Sequence, residues 1–99
     1  MALNELMEEI KSSDKPVLID FFATWCGPCR SQKSVLESFM EENGDKVKLI
    51  AIDIDDELEI AQEYKVMSIP TLVYIKDGEV AARKVGLQSK EDLLEMINS

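Results

Sequence analysis

Cys26 and Cys29 are the only cysteines in this 99-residue chain, with Gly27 and Pro28 between them. Two thiols at this spacing can close a small-ring disulfide and reopen it by thiol exchange. The thiolate is the form that reacts. The run Pro16-Val17-Leu18-Ile19-Asp20-Phe21-Phe22 reads as a central strand, and Pro28-Cys29-Arg30 as the first turn of a helix. Cys26 then stands at a helix N-terminus, where unpaired backbone N–H groups and the dipole favour an anion. Pro28 suits an early helical position, where its missing N–H costs no hydrogen bond. Two other uses of a cysteine pair compete. A structural disulfide gains little from so small a loop. Zinc wants four ligands, usually Cys or His, and the chain has two cysteines and no histidine. A second chain or carboxylates would have to complete that site.

Asp20 is the other candidate for chemistry. It lies between Ile19 and Phe21 in an apolar strand, so desolvation should raise its pKa. Alternation does not decide whether it points inward or to solvent, because both faces of the strand look buried. The acidic run Asp53, Asp55, Asp56, Glu57 and Glu59 invites a calcium reading. That pattern fails, because its sixth position is Leu58 rather than Gly and its twelfth is Tyr64 rather than Glu. A solvated acidic lead-in to a helix fits the dipole argument better.

The elements that must position these groups follow from periodicity. Leu3, Leu6, Met7 and Ile10 form the apolar stripe of a first helix, broken by Ser12-Ser13-Asp14-Lys15-Pro16. After the strand and the cysteine turn, Val35, Leu36, Phe39 and Met40 share one face of a second helix, which Gly44 ends. Lys46 to Ile54 is an apolar run that suits a strand parallel to the first, since a crossover helix lies between them. A short helix over about Glu57 to Tyr64 leads to Ser68-Ile69-Pro70-Thr71. Thr71 to Lys76 and Glu79 to Val85 flank Asp77-Gly78, a strong hairpin signal. Ser89 caps a last helix, with Asp92 three residues on, and Leu93, Leu94 and Ile97 face inward. Met7, Met40, Met67 and Met96 are read as packing residues. The order αβαβαββα predicts an α/β fold, a mixed sheet with helices on both faces.

Length and composition exclude several functions. Residues 1–99 read as one domain, able to bury roughly two-thirds of its unfolded surface without disulfide staples. The net charge of −9, from 20 acidic and 11 basic residues, argues against nucleic acid. Nothing in the sequence reads as a signal peptide or a membrane span. A reducing cytoplasm is the expected compartment, where a C-x-x-C is more often catalytic or metal-binding than structural.

Four pieces, in register, carry a resemblance to the thioredoxin family: Val17-Leu18-Ile19-Asp20-Phe21-Phe22-Ala23, Trp25-Cys26-Gly27-Pro28-Cys29, Ile69-Pro70-Thr71, and Asp77-Gly78-Glu79 followed by Gly86. The chain resembles an N-terminally short form, for which a four-stranded sheet is expected. The resemblance implies reduction of protein disulfides, with Cys26 as nucleophile and Cys29 as the more buried resolving thiol. It implies that Asp20 exchanges a proton with Cys29 through a water, and that Pro70 follows a cis bond and lies against the disulfide. Gly27-Pro28 resembles the reducing members. Trp25, Ile69, Pro70, Val85 and Gly86 would form the substrate rim; core packing competes for Ile69 and Val85. The resemblance also implies electron transport in cell redox homeostasis. The chain would be a monomer with no bound cofactor, recharged by a thioredoxin reductase, its electrons carried on the Cys26–Cys29 disulfide. Two residues depart from the family pattern. Ser34 replaces a helix-kinking proline, and Ala51 replaces a lysine near the buried aspartate.

Overall fold

The strand Val17–Phe22 (β1) is buried on both faces, and its alternation divides the core in two. Val17, Ile19 and Phe21 join Leu6, Ile50, Ile52, Ile60, Val73 and Ile75 in one cluster; Leu18 joins Leu36, Phe39, Val47, Leu72, Tyr74, Leu93 and Met96 in the other. The structure, a computed structural model, describes Met1–Ser99 throughout. A side chain's parity on β1 therefore decides which helices it meets.

The elements run α1 (Leu3–Ser12), β1, α2 (Gly27–Asn43), β2 (Lys48–Asp53), α3 (Leu58–Glu63), β3 (Thr71–Lys76), β4 (Glu79–Val85) and α4 (Lys90–Ile97). The sheet has four strands in the order β2-β1-β3-β4. β1 and β2 pair in parallel across the α2 crossover, whereas β3 pairs antiparallel with both β1 and β4. One face of the sheet carries residues of α1 and α3; the other carries α2 and α4. The predicted order of elements and the mixed four-stranded sheet are both found.

Local chemistry explains where these elements turn. Asp77 (φ 55°) and Gly78 (φ 80°) both adopt the left-handed backbone of the β3–β4 hairpin, which glycine takes without steric cost. At the start of α4, the Asp92 N–H donates to Ser89 Oγ (3.1 Å) and the Ser89 N–H to Asp92 Oδ2 (2.9 Å). Hydrogen bonds to the Asp92 carboxyl from the Ser89 backbone N–H and, secondarily, its side chain hold that carboxyl below its ordinary pKa. Ser89→Ala is expected to cost about 1 kcal/mol in chemical denaturation, the usual worth of a lost N-cap. α2 runs unbroken through Ser34. At its far end the Lys15 ammonium donates to the Gly44 carbonyl (2.8 Å), closing a terminal acceptor.

Three residues assigned to the interior are exposed instead. Met7 and Leu94 are exposed, and α4 turns Leu93, Met96 and the half-buried Ile97 inward instead. Met67 is 93% exposed; it stands in the loop before β3, where no periodicity ties an apolar residue to a core. Gln32, by contrast, is fully buried within α2, its amide exchanging hydrogen bonds with the Gln88 backbone at 3.1 and 2.7 Å.

Candidate active site

The C-terminal end of β1 delivers the chain through Ala23-Thr24-Trp25 to Cys26, which is the N-cap of α2. Cys26 and Cys29 form a disulfide, with Cα atoms 5.2 Å apart. The Cys29 N–H donates to Cys26 Sγ at 3.2 Å. A sulfur at this position thus accepts from one of the helix's orphan donors and sits at the positive end of its dipole. Pro28 occupies the second helical position, where the helix needs no N–H from it.

The two sulfurs differ in surroundings rather than in burial. Cys26 is 5% exposed and Cys29 4%, so the expected deeper burial of Cys29 is not found. The geometry of an N-cap explains this: Cys26 lies under Ile69, with Sγ 4.0 Å from the Ile69 carbonyl oxygen. Cys29, one turn on, lines a cleft of about 400 Å³ that it shares with Asp20, Phe22, Leu36, Leu49 and Ala51.

The cleft settles the orientation of Asp20 that alternation left open. Asp20 has the parity of Leu18, so it faces α2 and the Cys29 side of the disulfide rather than solvent. Its neighbours in register are Ala51 on β2 and Leu72 on β3, neither of which brings a charge. Asp20 is 5% exposed and its Oδ1 has no hydrogen-bond partner. Burial alone pushes its pKa up, from 3.8 to about 6.

The opposite side of the disulfide is a shallow apolar rim. The Ile69–Pro70 bond is cis, and Pro70 is buried. Ile69 is half-buried against Ala23 and the two cysteines, so packing and rim exposure share this side chain. Val85 is exposed, not packed in the core. Gly86 takes φ 91° and donates its N–H to the Pro70 carbonyl at 2.8 Å. Trp25 is 67% exposed, and its indole N–H donates to Asp55 Oδ2 at 2.8 Å. That bond gives the acidic run a contact with the site that its charge pattern did not suggest. Gly27 and Pro28 are exposed beside the disulfide. Met67, read as a packing residue, is instead exposed, three residues before Pro70. No three His, Cys, Asp or Glu side chains converge where a metal ion could be held.

A strand-to-helix turn carrying a closed C-x-x-C disulfide, with a buried carboxyl behind and an apolar rim in front, defines a thiol–disulfide oxidoreductase. The model of the thioredoxin family matches residues 1–99. The chain is 50% identical over 88 residues to the thioredoxin of Bacillus subtilis (strain 168), covering 89% of this chain and 85% of that one. The thioredoxin of Listeria monocytogenes is 48% identical over 90 residues, covering 91% and 87% respectively. Among solved structures, Fasciola hepatica thioredoxin superposes with a TM-score of 0.89 at 34% identity, over 98% of this chain and 92% of that one. Oxidised mitochondrial thioredoxin 3 of Saccharomyces cerevisiae gives 0.88 at 34% identity, over 98% and 89%. This chain belongs to the thioredoxin family.

Proposed function

We propose that the chain is a protein-disulfide reductase whose two thiols take different steps. The Cys26 thiolate attacks one sulfur of a substrate disulfide. A Cys26–substrate bond forms, the substrate S–S bond breaks, and the first substrate thiolate leaves and takes up a proton. The Cys29 thiol then gives its proton, through water in the cleft, to the Asp20 carboxylate and attacks Cys26 Sγ. The Cys26–Cys29 bond closes, and the second substrate thiolate is released. Two electrons have passed to the substrate.

The observation that carries this assignment is the Cys29 N–H at 3.2 Å from Cys26 Sγ, at the start of α2. In the reduced protein the same donor serves a thiolate on Cys26, lowering its pKa relative to Cys29. Asp20 stands behind Cys29 in the shared cleft, and a pKa of about 6 leaves it ionised and able to accept a proton at neutral pH. Trp25, Gly27, Pro28, Ile69, Pro70, Val85 and Gly86 surround the disulfide as support and rim. An extended substrate segment would lie beside Ile69-Pro70, where Gly86 permits close backbone approach.

The same reading makes residues 1–99 a single monomeric domain that carries electrons in the cytoplasm without a bound cofactor. Its disulfide is reopened by a thioredoxin reductase. No helix is long and apolar enough to cross a membrane. The test is reduction of insulin, followed by precipitation of its freed chains, with a thioredoxin reductase and NADPH as the only electron source. Catalysis dependent on that reductase is expected. Reduction supported by glutathione and refused by the reductase would assign a glutaredoxin-like role instead.

A further inference from the structure

The segment from Tyr64 to Pro70 is fastened at both ends. Tyr64 is the C-cap of α3, and Lys65 then turns the chain at φ 54°. From across the sheet edge, Arg83 of β4 donates Nη1–H to the Tyr64 carbonyl (2.5 Å) and Nη2–H to the Lys65 carbonyl (2.8 Å). One planar guanidinium holds two successive carbonyls at the negative end of a helix, which the point charge of a lysine cannot copy. At the other end, Thr71 Oγ1–H donates to the Ser68 carbonyl (2.6 Å) and the Gly86 N–H to that of Pro70 (2.8 Å).

What this segment displays points outward. Val66 and Ile69 pack against the core, while Met67 between them is 93% exposed. Its neighbour Ile69 brings a carbonyl oxygen to 4.0 Å from Cys26 Sγ. A long apolar side chain held in water, on a doubly tied segment that reaches the reactive sulfur, is placed for contact rather than packing. The unbranched thioether of methionine adapts to surfaces of varied shape.

We propose that Arg83 is a positioning residue for substrate recognition, fixing the segment that presents Met67 to the polypeptide flanking a substrate disulfide. The occupant is an extended protein segment with an apolar side chain near its cysteine, lying along Met67 to Pro70 and continuous with the rim at the disulfide. This inference rests on the protein-disulfide reading above. Arg83 contacts neither cysteine, so it acts on binding and leaves the exchange chemistry alone.

The test compares KM and kcat for insulin with the rate toward a small aromatic disulfide, dithiobis(nitrobenzoate), in the full-length chain. Arg83→Gln and Met67→Ser are each expected to raise KM for insulin roughly 3- to 10-fold. Both should leave kcat and the small-disulfide rate unchanged, and Arg83→Lys should recover only part of the loss. Because Arg83 acts through Met67, the double variant should match the worse single variant instead of multiplying the two effects. An unchanged KM in Arg83→Gln, multiplicative effects, or equal losses toward insulin and the small disulfide would each overturn the proposal. Wild-type protein that reduces no insulin would instead overturn the reading of function beneath it.

Discussion

Cys26→Ser is expected to abolish protein-disulfide reduction, and Cys29→Ser to stall it with substrate attached. Without Cys26 no sulfur stands at the N-cap of α2, and Cys29, one turn on, lines the cleft shared with Asp20 instead. Turnover should fall at least about 1,000-fold, the scale on which enzymes lose activity with their nucleophile. Without Cys29 the first exchange still proceeds, but nothing attacks the Cys26–substrate bond. A covalent adduct should accumulate, seen by mass spectrometry as one substrate chain per protein and released by dithiothreitol. The opposite pattern, adducts on Cys29 in the Cys26→Ser protein and none on Cys26, would reverse the two roles. Both variants should fold, because the two packed clusters on either face of the sheet contain neither cysteine.

Asp20→Asn is expected to make the protein more stable and slower. Folding raises the Asp20 pKa from 3.8 to about 6, so the folded chain binds this proton more tightly than the unfolded chain. Stability from this group is therefore greatest below pH 3.8, falls as pH rises toward about 6, and levels off above. The displacement corresponds to a destabilisation of up to about 3 kcal/mol at pH 7. Asparagine stays neutral and removes that cost. Denaturation at pH 8 should show the variant more stable by up to about 3 kcal/mol, and its Tm higher by about 10 °C or more. The difference should vanish near pH 4. Turnover should drop by about 100-fold, the usual worth of a general base. The wild-type decline in rate below pH 6 should also disappear. A variant less stable at pH 8, or one with the wild-type rate profile, would contradict a buried ionised proton acceptor.

Much of this architecture was legible because local signals and tertiary packing agree. Asp77-Gly78 and Ser89 with Asp92 are turn and cap chemistry, decided within four residues, and the elements they bound fall where expected. The cysteine pair was legible for the same reason, since helix geometry fixes what C-x-x-C can do. What escaped reading depends on contacts remote in sequence. Asp20 could be assigned a face only once Leu18 was seen packing under Leu36 and Phe39. Met67 looked like core because it is apolar, yet it stands on a loop held by Arg83, distant in sequence. The burial of Gln32 needed Gln88, more than fifty residues away, to satisfy its amide. The similar burial of Cys26 and Cys29 arises from Ile69 folding over the N-cap, a contact invisible to spacing.

The central claim is that Cys26 and Cys29 form a reversible couple poised to donate electrons to protein disulfides. The most direct test is the reduction potential of that pair, equilibrated against dithiothreitol buffers with free thiols counted by alkylation. A single two-electron transition is predicted near −270 mV, about the reference value for thioredoxins. A potential of about −180 mV or higher, the range of isomerases and oxidases, would contradict a reducing role. The absence of a two-electron couple would contradict the redox assignment itself.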